Sequence, residues 1–492
     1  MFKGLAMILV MVLLTSVPLF AENEKNPEID SVLVDSSDAP AETSSSNIFF
    51  SFFNNILQPA LNILVWPISS PINYAFHNGV VETAQDLVTF GSKRNILLYP
   101  IFNFKPGNST MFGVAYRHRN FFLDKDYFFV SPEFYANSDV RVSTRYTKQG
   151  FFGLPLFYGV KSTVSFDRDE VFILPCTRTS FVQPDTSVIV GFRFGFPVTK
   201  SRNLNFEASF NVEHYKAGVP DVSSDSIFID ESFPIQDRGL YQTHNQYPLG
   251  FSLLYDNLDF AFAPSRGNRF YVGADYYFVD KYRGVNYKNL GVKSEDGKSE
   301  IVDGGLNHDF IRASVILQHY FYLGRSKDYI LSEREGRKAR RFYTDFSWNE
   351  ALRVWRPENV KTTLFERRVI AVQYRFSGMW EREKGGAPFN AYPTLNTRYP
   401  FRGYGSALVA PFLMGISMEY RWPVDHYVDG VIFDEYSTYS DRIDHWSVDH
   451  FKNSWGFGVR VRKPNMYLFR LQFGFHGLQG VNLVLTVSPE FK

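Results

Sequence analysis

The sequence predicts an all-β fold: a closed antiparallel transmembrane β-barrel of about 16 strands, preceded by a short helical segment. Three observations lead there. The chain opens on an export signal, its polar and apolar residues alternate with a period of two from Asn95 onward, and it is rich in aromatic rings.

The export signal comes first. Lys3 precedes an apolar run from Leu5 to Leu14, then Thr15, Ser16, Pro18 and a closing Ala21. A basic start, a short apolar core and a small residue at the end read as a secretory signal peptide over residues 1–21. The run is shorter than the ~20 residues a spanning helix needs, and Glu22 and Lys25 follow directly. Later apolar runs are all broken by charge, Pro or Gly, so a helical membrane protein is excluded.

Residues 22–47 follow as a linker, rich in Ser, Asp and Ala between Val34 and Asn47. Residues 48–94 contain Phe49, Phe52, Phe53 and Ile56, then Val80, Val81, Ala84 and Leu87, both at helical spacing, with Pro59, Pro67 and Pro71 between them. Two short amphipathic helices are expected, on the periplasmic side of the barrel or in its lumen.

Residues 95–492 form the barrel. In Leu204–Val212 the even positions are Leu, Phe, Ala, Phe and Val, against Asn205, Glu207, Ser209 and Asn211. Met414, Ile416, Met418, Tyr420 and Trp422 alternate with Gly415, Ser417, Glu419 and Arg421, and Tyr467, Phe469, Leu471, Phe473 and Phe475 with Leu468, Arg470, Gln472 and Gly474. Strand side chains point to opposite faces in turn, so each run has one greasy and one polar face. In a membrane barrel the greasy face meets lipid and the polar one lines the lumen. The sheet must close, because unpaired edge amides in hydrocarbon cost several kcal/mol each. Aromatic residues make up 17% of the chain, with 50 Phe and 29 Tyr, against 21% charged residues, as ring girdles at two membrane interfaces require.

Strands are expected near 96–104, 110–119, 126–135, 138–147, 156–167, 186–197, 202–215, 247–256, 269–280, 309–322, 367–380, 412–422, 430–436, 454–462, 467–475 and 481–491. With both ends of the barrel in the periplasm, the long connections 216–246, 281–308, 381–411 and 437–453 face outward. The connection 323–368 faces the periplasm and is unusually long, with twelve Lys or Arg against seven Asp or Glu. Pro100 in the first strand cannot donate to a ladder, which weakens a seam between first and last strands.

Several segments resemble, in order, the signature elements of the bacterial surface-antigen family of BamA- and TamA-like barrels. Asp256 and Asn257, followed by Pro264, Ser265, Arg266 and Gly267, resemble its R-D-N…P-[TS]-R-G turn. Phe401, Arg402, Gly403 and Tyr404 resemble the R-G-[YF] tip of its sixth outer loop. Glu419 to Pro423 resemble its E-[YF]-R-[FW]-P strand, Ile432 to Asp434 its F-x-D strand, and Gly458, Val459 and Arg460 its G-[LV]-R strand. The resemblance implies that the sixth loop folds into the lumen, with Arg402 paired to Asp434, or to Glu419 as second candidate. It also implies a place in the outer membrane and a role in inserting, translocating or organising its components. The periplasmic POTRA modules usual in that family have no counterpart in residues 22–94.

The alternative is a passive pore or structural surface antigen on the same fold. Partners expected are outer-membrane lipids, and a protein docked through 323–368 or 48–94. The 52 basic and 51 acidic side chains nearly cancel, which gives no case for nucleic acid. Asp441, Asp444, His445, Asp449 and His450 form the one acid and imidazole cluster that invites metal or hydrolytic chemistry. No catalytic motif accompanies it and Cys176 is the single cysteine, so no enzyme, metal or cofactor is expected.

Overall fold

The computed structural model describes residues 69, 71–72, 89–91, 95–103, 111–135, 139–151, 154–173, 180–217, 242–259, 264, 266–284, 307–322, 368–383, 386–395, 401–404, 407–424, 428–447, 450–463, 466–477 and 480–486. The expected signal peptide, the linker and nearly all of the connection 323–368 lie outside them. Of the expected helical segment, Ser69, Pro71 and Ile72 are helical, and Thr89–Phe90 form a strand.

Nineteen strands are described. The first, β1 (Thr89–Phe90), is a two-residue piece. An antiparallel meander follows: β2 (Ile96–Asn103), β3 (Met111–Arg119), β4 (Asp126–Tyr135), β5 (Val140–Phe151), β6 (Leu154–Ile173), β7 (Ser180–Pro197), β8 (Leu204–Ala217), β9 (Gln242–Asp256), β10 (Gly267–Gly284), β11 (Phe310–Tyr322) and β12 (Val369–Glu381). Two short strands, β13 (Thr394–Leu395) and β14 (Ala407–Val409), lie in the sixth outer loop. The meander resumes with β15 (Phe412–Pro423), β16 (Val428–Ser440), β17 (Lys452–Lys463), β18 (Met466–Phe475) and β19 (Val481–Thr486). All sixteen expected strands are present, and no described helix is long and apolar enough to cross a membrane.

Each long strand pairs antiparallel with the next, and β12 pairs directly with β15 across the sixth loop. β1 lies on the other edge of β2, with Thr89 opposite Leu97 and Phe90 opposite Ile96. The ladders run unbroken from β1 to β19, and the closing seam between β19 and β2 falls outside the described pairs. One loop shows how far the sheet curls. Its β14 pairs in parallel with the outer end of β6, Ala407 opposite Phe172, while Gly403 accepts a hydrogen bond from Asn482 on β19.

The two faces of the sheet carry inverted polarity. Phe192, Phe210, Phe251, Leu253, Ile416, Met418 and Phe457 are exposed, Met418 to 51%, on the outward face. Ser417 and Glu419, which flank Met418, and Glu213, Gln246 and Gln472 on other strands are buried on the inward one. A water-soluble sandwich would show the reverse, whereas burying polar groups beneath an apolar exterior is what hydrocarbon solvent selects. Inward polar groups satisfy one another: Glu213 accepts from Gln246 at 2.6 Å, Asn211 at 2.8 Å and Tyr215 at 3.1 Å.

At the outer mouth the pattern changes. Phe389, Tyr392, Phe401, Val409 and Ala410 of the sixth loop pack with Tyr277, Phe310, Met379, Leu413 and Tyr439 of the wall into one buried apolar cluster. Phe401 stacks on Tyr404 with ring centroids 4.3 Å apart. The cluster forms an apolar lid where the sixth loop packs on the wall.

Candidate functional site

Beneath the lid, the tip of the sixth loop enters the lumen and is held by five strands. Arg402 is 2% exposed. Its Nε donates to Glu435 Oε1 at 2.7 Å, its backbone N–H to Glu435 Oε2 at 2.6 Å, and its Nη1 to Glu419 Oε2 at 2.9 Å and Gln472 Oε1 at 3.1 Å. The guanidinium lies over the Phe433 ring, 3.5 Å from its centroid. A planar fork of five donors suits such divided recognition, and Lys could not replace it.

The partner in β16 is Glu435, not Asp434. Alternation decides this: Phe433, Glu435 and Ser437 point inward, while Asp434 shares the outward face with Ile432 and Tyr436 and accepts from Asn453 at 2.8 Å. The acidic group therefore sits two residues after Phe433, one place further on than the motif reading set it. Glu419 makes the contact expected of the second candidate.

The network continues downward. Glu419 Oε1 accepts from Arg421 Nε at 2.6 Å, and Arg421 Nη1 donates to the carbonyl of Pro264 at 3.3 Å. Glu435, Arg402, Glu419 and Arg421 thus alternate in sign and sum to zero. All four are almost fully buried, so each charge is stabilised by its neighbours and would be costly alone. Pro264 belongs to the turn after β9, so three of the resembling motifs, distant in sequence, meet in one chain of contacts.

That turn is itself built. Asp256 Oδ2 accepts from Arg269 Nε at 2.9 Å and Oδ1 from the Leu258 N–H at 3.1 Å, and Asn257 N–H donates to Asn268 O at 2.9 Å. Gly267 has φ of +107°, and a Cβ there would strike the Asn257 carbonyl. Only glycine takes that conformation without strain.

The loop backbone is caught by the last strands. Gly403 N–H donates to Ser454 Oγ at 2.7 Å, and its carbonyl accepts from Asn482 Nδ2 at 2.6 Å. Tyr404 faces His476 at 5.1 Å between ring centroids. Glycine permits the approach from both sides: a Cβ on Gly474 would come within 2.6 Å of the Arg402 carbonyl, and one on Gly403 would meet Phe475 O. Gly458 and the buried Arg460 lie on the lumen face of β17, with Gln472 and Arg470 opposite. Pro100 lies within β2, opposite Val114 of β3. Its other side faces the seam, where β1 covers only Ile96 and Leu97.

Sequence reasoning missed Glu435, Gln472, Ser454 and Asn482. The period-two phase of β16 and β18 carried the signal for the first two; nothing local marks the others.

The described members of the acid and imidazole cluster do not converge. Arg442 pairs with the exposed Asp444 at 3.0 Å, and His450 stacks on Tyr439 at 4.4 Å. His445 is exposed and Asp441 half-buried. Asp449 is outside the described residues, among which no three His, Cys, Asp or Glu converge to hold a metal.

A model of the Omp85 superfamily domain matches residues 134–481. Similar solved structures include BamA from Haemophilus ducreyi lacking POTRA domains 1–3, at 12% identity and a TM-score of 0.49, covering 80% of this chain and 69% of that one. CdiB from Acinetobacter baumannii is 10% identical with a TM-score of 0.41, covering 80% and 59%. CdiB from Escherichia coli is 10% identical with a TM-score of 0.40, covering 79% and 62%. A search of the curated proteins returned no match.

Proposed function

Because the chain belongs to the Omp85 superfamily and is an outer-membrane β-barrel, we propose that it inserts, translocates or organises outer-membrane components, with its sixth loop as an internal latch. The observation that carries this reading is the buried chain from Glu435 through Arg402 and Glu419 to Arg421. A barrel that merely passes solutes has no need to hold a loop across its lumen by charged groups that are expensive to bury.

The apolar lid supports the same reading, since Phe389, Tyr392 and Phe401 pack the sixth loop on the wall at the outer mouth, where a passive pore favours a polar lining. Exchange with lipid or a client strand then belongs to the wall. The seam suits it: β2 contains Pro100, and described β19 is six residues long, held to the loop through Asn482. Residues 323–368 and 48–94 are the proposed docking elements for a periplasmic or outer-membrane protein partner.

Depleting the protein in its native cell and measuring the abundance of other outer-membrane proteins tests the proposal. A selective fall in their levels is expected, with little conductance of the purified protein in planar bilayers. Unchanged levels together with steady conductance for small ions would replace it with the pore.

A further inference from the structure

The turn between β3 and β4 carries Phe121, Phe122 and Leu123 where a short polar turn would do. By strand direction it lies at the periplasmic rim, beside the first strands of the barrel. Phe122 is 72% exposed, the highest value for any large apolar side chain described, and Leu123 is 52% exposed.

This exposure is held in place. The Asp126 carboxylate accepts the backbone N–H groups of Phe121 at 2.5 Å, Phe122 at 2.9 Å and Leu123 at 2.8 Å, and the Tyr146 hydroxyl at 3.0 Å. Asn120 N–H donates to the Asp126 carbonyl at 2.9 Å, and Lys125 N–H to Asn120 Oδ1 at 2.8 Å. Asn120 and Lys125 both take positive φ, 52° and 60°, a region that Asn enters readily in turns and Lys seldom does. So many bonds around one carboxylate fix two apolar side chains in the open.

The rings of the turn extend the lipid-facing belt. Phe121 stacks on Phe128 at 4.6 Å, and Phe122 meets Phe121 at 4.2 Å and Tyr146 at 6.0 Å. Tyr146 leads on to Tyr158 at 6.4 Å. Phe128 and Tyr146 are opposite one another in register on the outward face, so the turn folds along the membrane side of the wall, not into the lumen. Lys125 is exposed at the same level, and the Lys148 ammonium donates to the Asp124 and Gln149 carbonyls. Apolar side chains just below a ring girdle, with ammonium groups beside them, match the boundary between acyl chains and phosphate headgroups.

We propose that Phe122 and Leu123 form a prebuilt anchor that inserts into the periplasm-facing leaflet of the outer membrane, with phospholipid as its partner. It fixes the bilayer level of the wall next to the seam. The assignment stands on the membrane-spanning fold alone and is independent of what the barrel transports.

Full-length protein carrying Cys176→Ser and Leu123→Cys, labelled with an environment-sensitive fluorophore, is reconstituted in phosphatidylethanolamine and phosphatidylglycerol vesicles. Folding is verified by heat-modifiable gel mobility. Ser201→Cys, in the polar turn between β7 and β8, is the control, and Phe122→Cys is the second labelling position should Leu123→Cys not fold. Nitroxide lipids labelled near the headgroup should quench the probe at 123 at least about threefold more than at 201. Asp126→Ala, which releases the turn, should remove half or more of that difference. Equal quenching at both positions would overturn the proposal. So would a probe that stays water-exposed in lipid and becomes shielded only when periplasmic protein is added, which would make the turn a protein-docking site instead.

Discussion

Replacing Arg402 with Ala tests the latch most directly. The substitution removes the cation paired with Glu435, leaving it the backbone N–H of residue 402, and one of the two cations around Glu419, which keeps Arg421 at 2.6 Å. Breaking a buried pair by deleting one member costs ~3–5 kcal/mol, because the survivor remains in the interior. The ladders of the wall are untouched, so the loss falls on loop docking and not on the barrel. At about 1.4 kcal/mol per tenfold, ~4 kcal/mol shifts the ratio of seated to released loop by roughly three orders of magnitude. Lys384 and Arg398 lie within the loop, so tryptic cleavage there, scored on folded protein, reads that ratio when reseating outpaces cleavage. A cleavage rate within about twofold of the parent would refute the latch. The cycle with Glu435→Gln sharpens it: the double variant should be less impaired than the sum of the singles by roughly 1–3 kcal/mol, whereas additivity means no coupling. Asp434→Asn should change little, within about 0.5 kcal/mol, since that carboxylate faces outward.

Three further outcomes are expected. Gly474→Val places a side chain against the Arg402 carbonyl and should release the loop at a cost of ~1–3 kcal/mol, read by the same proteolysis. Gly267→Ala must hold φ of +107° against the Asn257 carbonyl and should lower barrel stability by ~1–3 kcal/mol, read as an earlier heat-modifiability midpoint. Tyr404→Cys with His476→Cys, in a Cys176→Ser background, should accept a short thiol cross-linker, because the native rings are 5.1 Å apart. If the loop moves during function, cross-linking abolishes complementation of a depletion strain; full complementation would show that it works while fixed.

Much of the wall was legible because lipid imposes a period of two on every strand that crosses it. The reading failed where that period breaks. It ended one strand at 167 and began the next at 186, whereas β6 runs to Ile173 and β7 starts at Ser180. A register shift lies between Ser165 and Arg168, so the alternation loses phase there although the ladder continues. The same happens in β10, placed to end near 280, which passes through a shift between Asp280 and Arg283 to reach Gly284. Strands β13 and β14 were invisible, being two and three residues long and set by contacts remote in sequence.

The candidate site was legible as motifs and not as geometry. Arg402 stood out, but its partner was assigned one residue away, and on a strand one residue is the difference between lumen and lipid. Ser454 and Asn482 are ordinary polar residues whose importance comes only from where the loop lands.

The seating of the loop also constrains how the molecule comes to be made. Its tip is received by Glu419 on β15, Glu435 on β16, Ser454 on β17, Gln472 on β18 and Asn482 on β19, all later in the chain than Arg402 itself. Contacts so distant in sequence form only after the intervening chain has been ordered, so they belong to the slow end of folding. Arg402 therefore finds its full set of partners only once the final hairpins have been laid down. A tip at rest in the lumen is the mark of a finished wall.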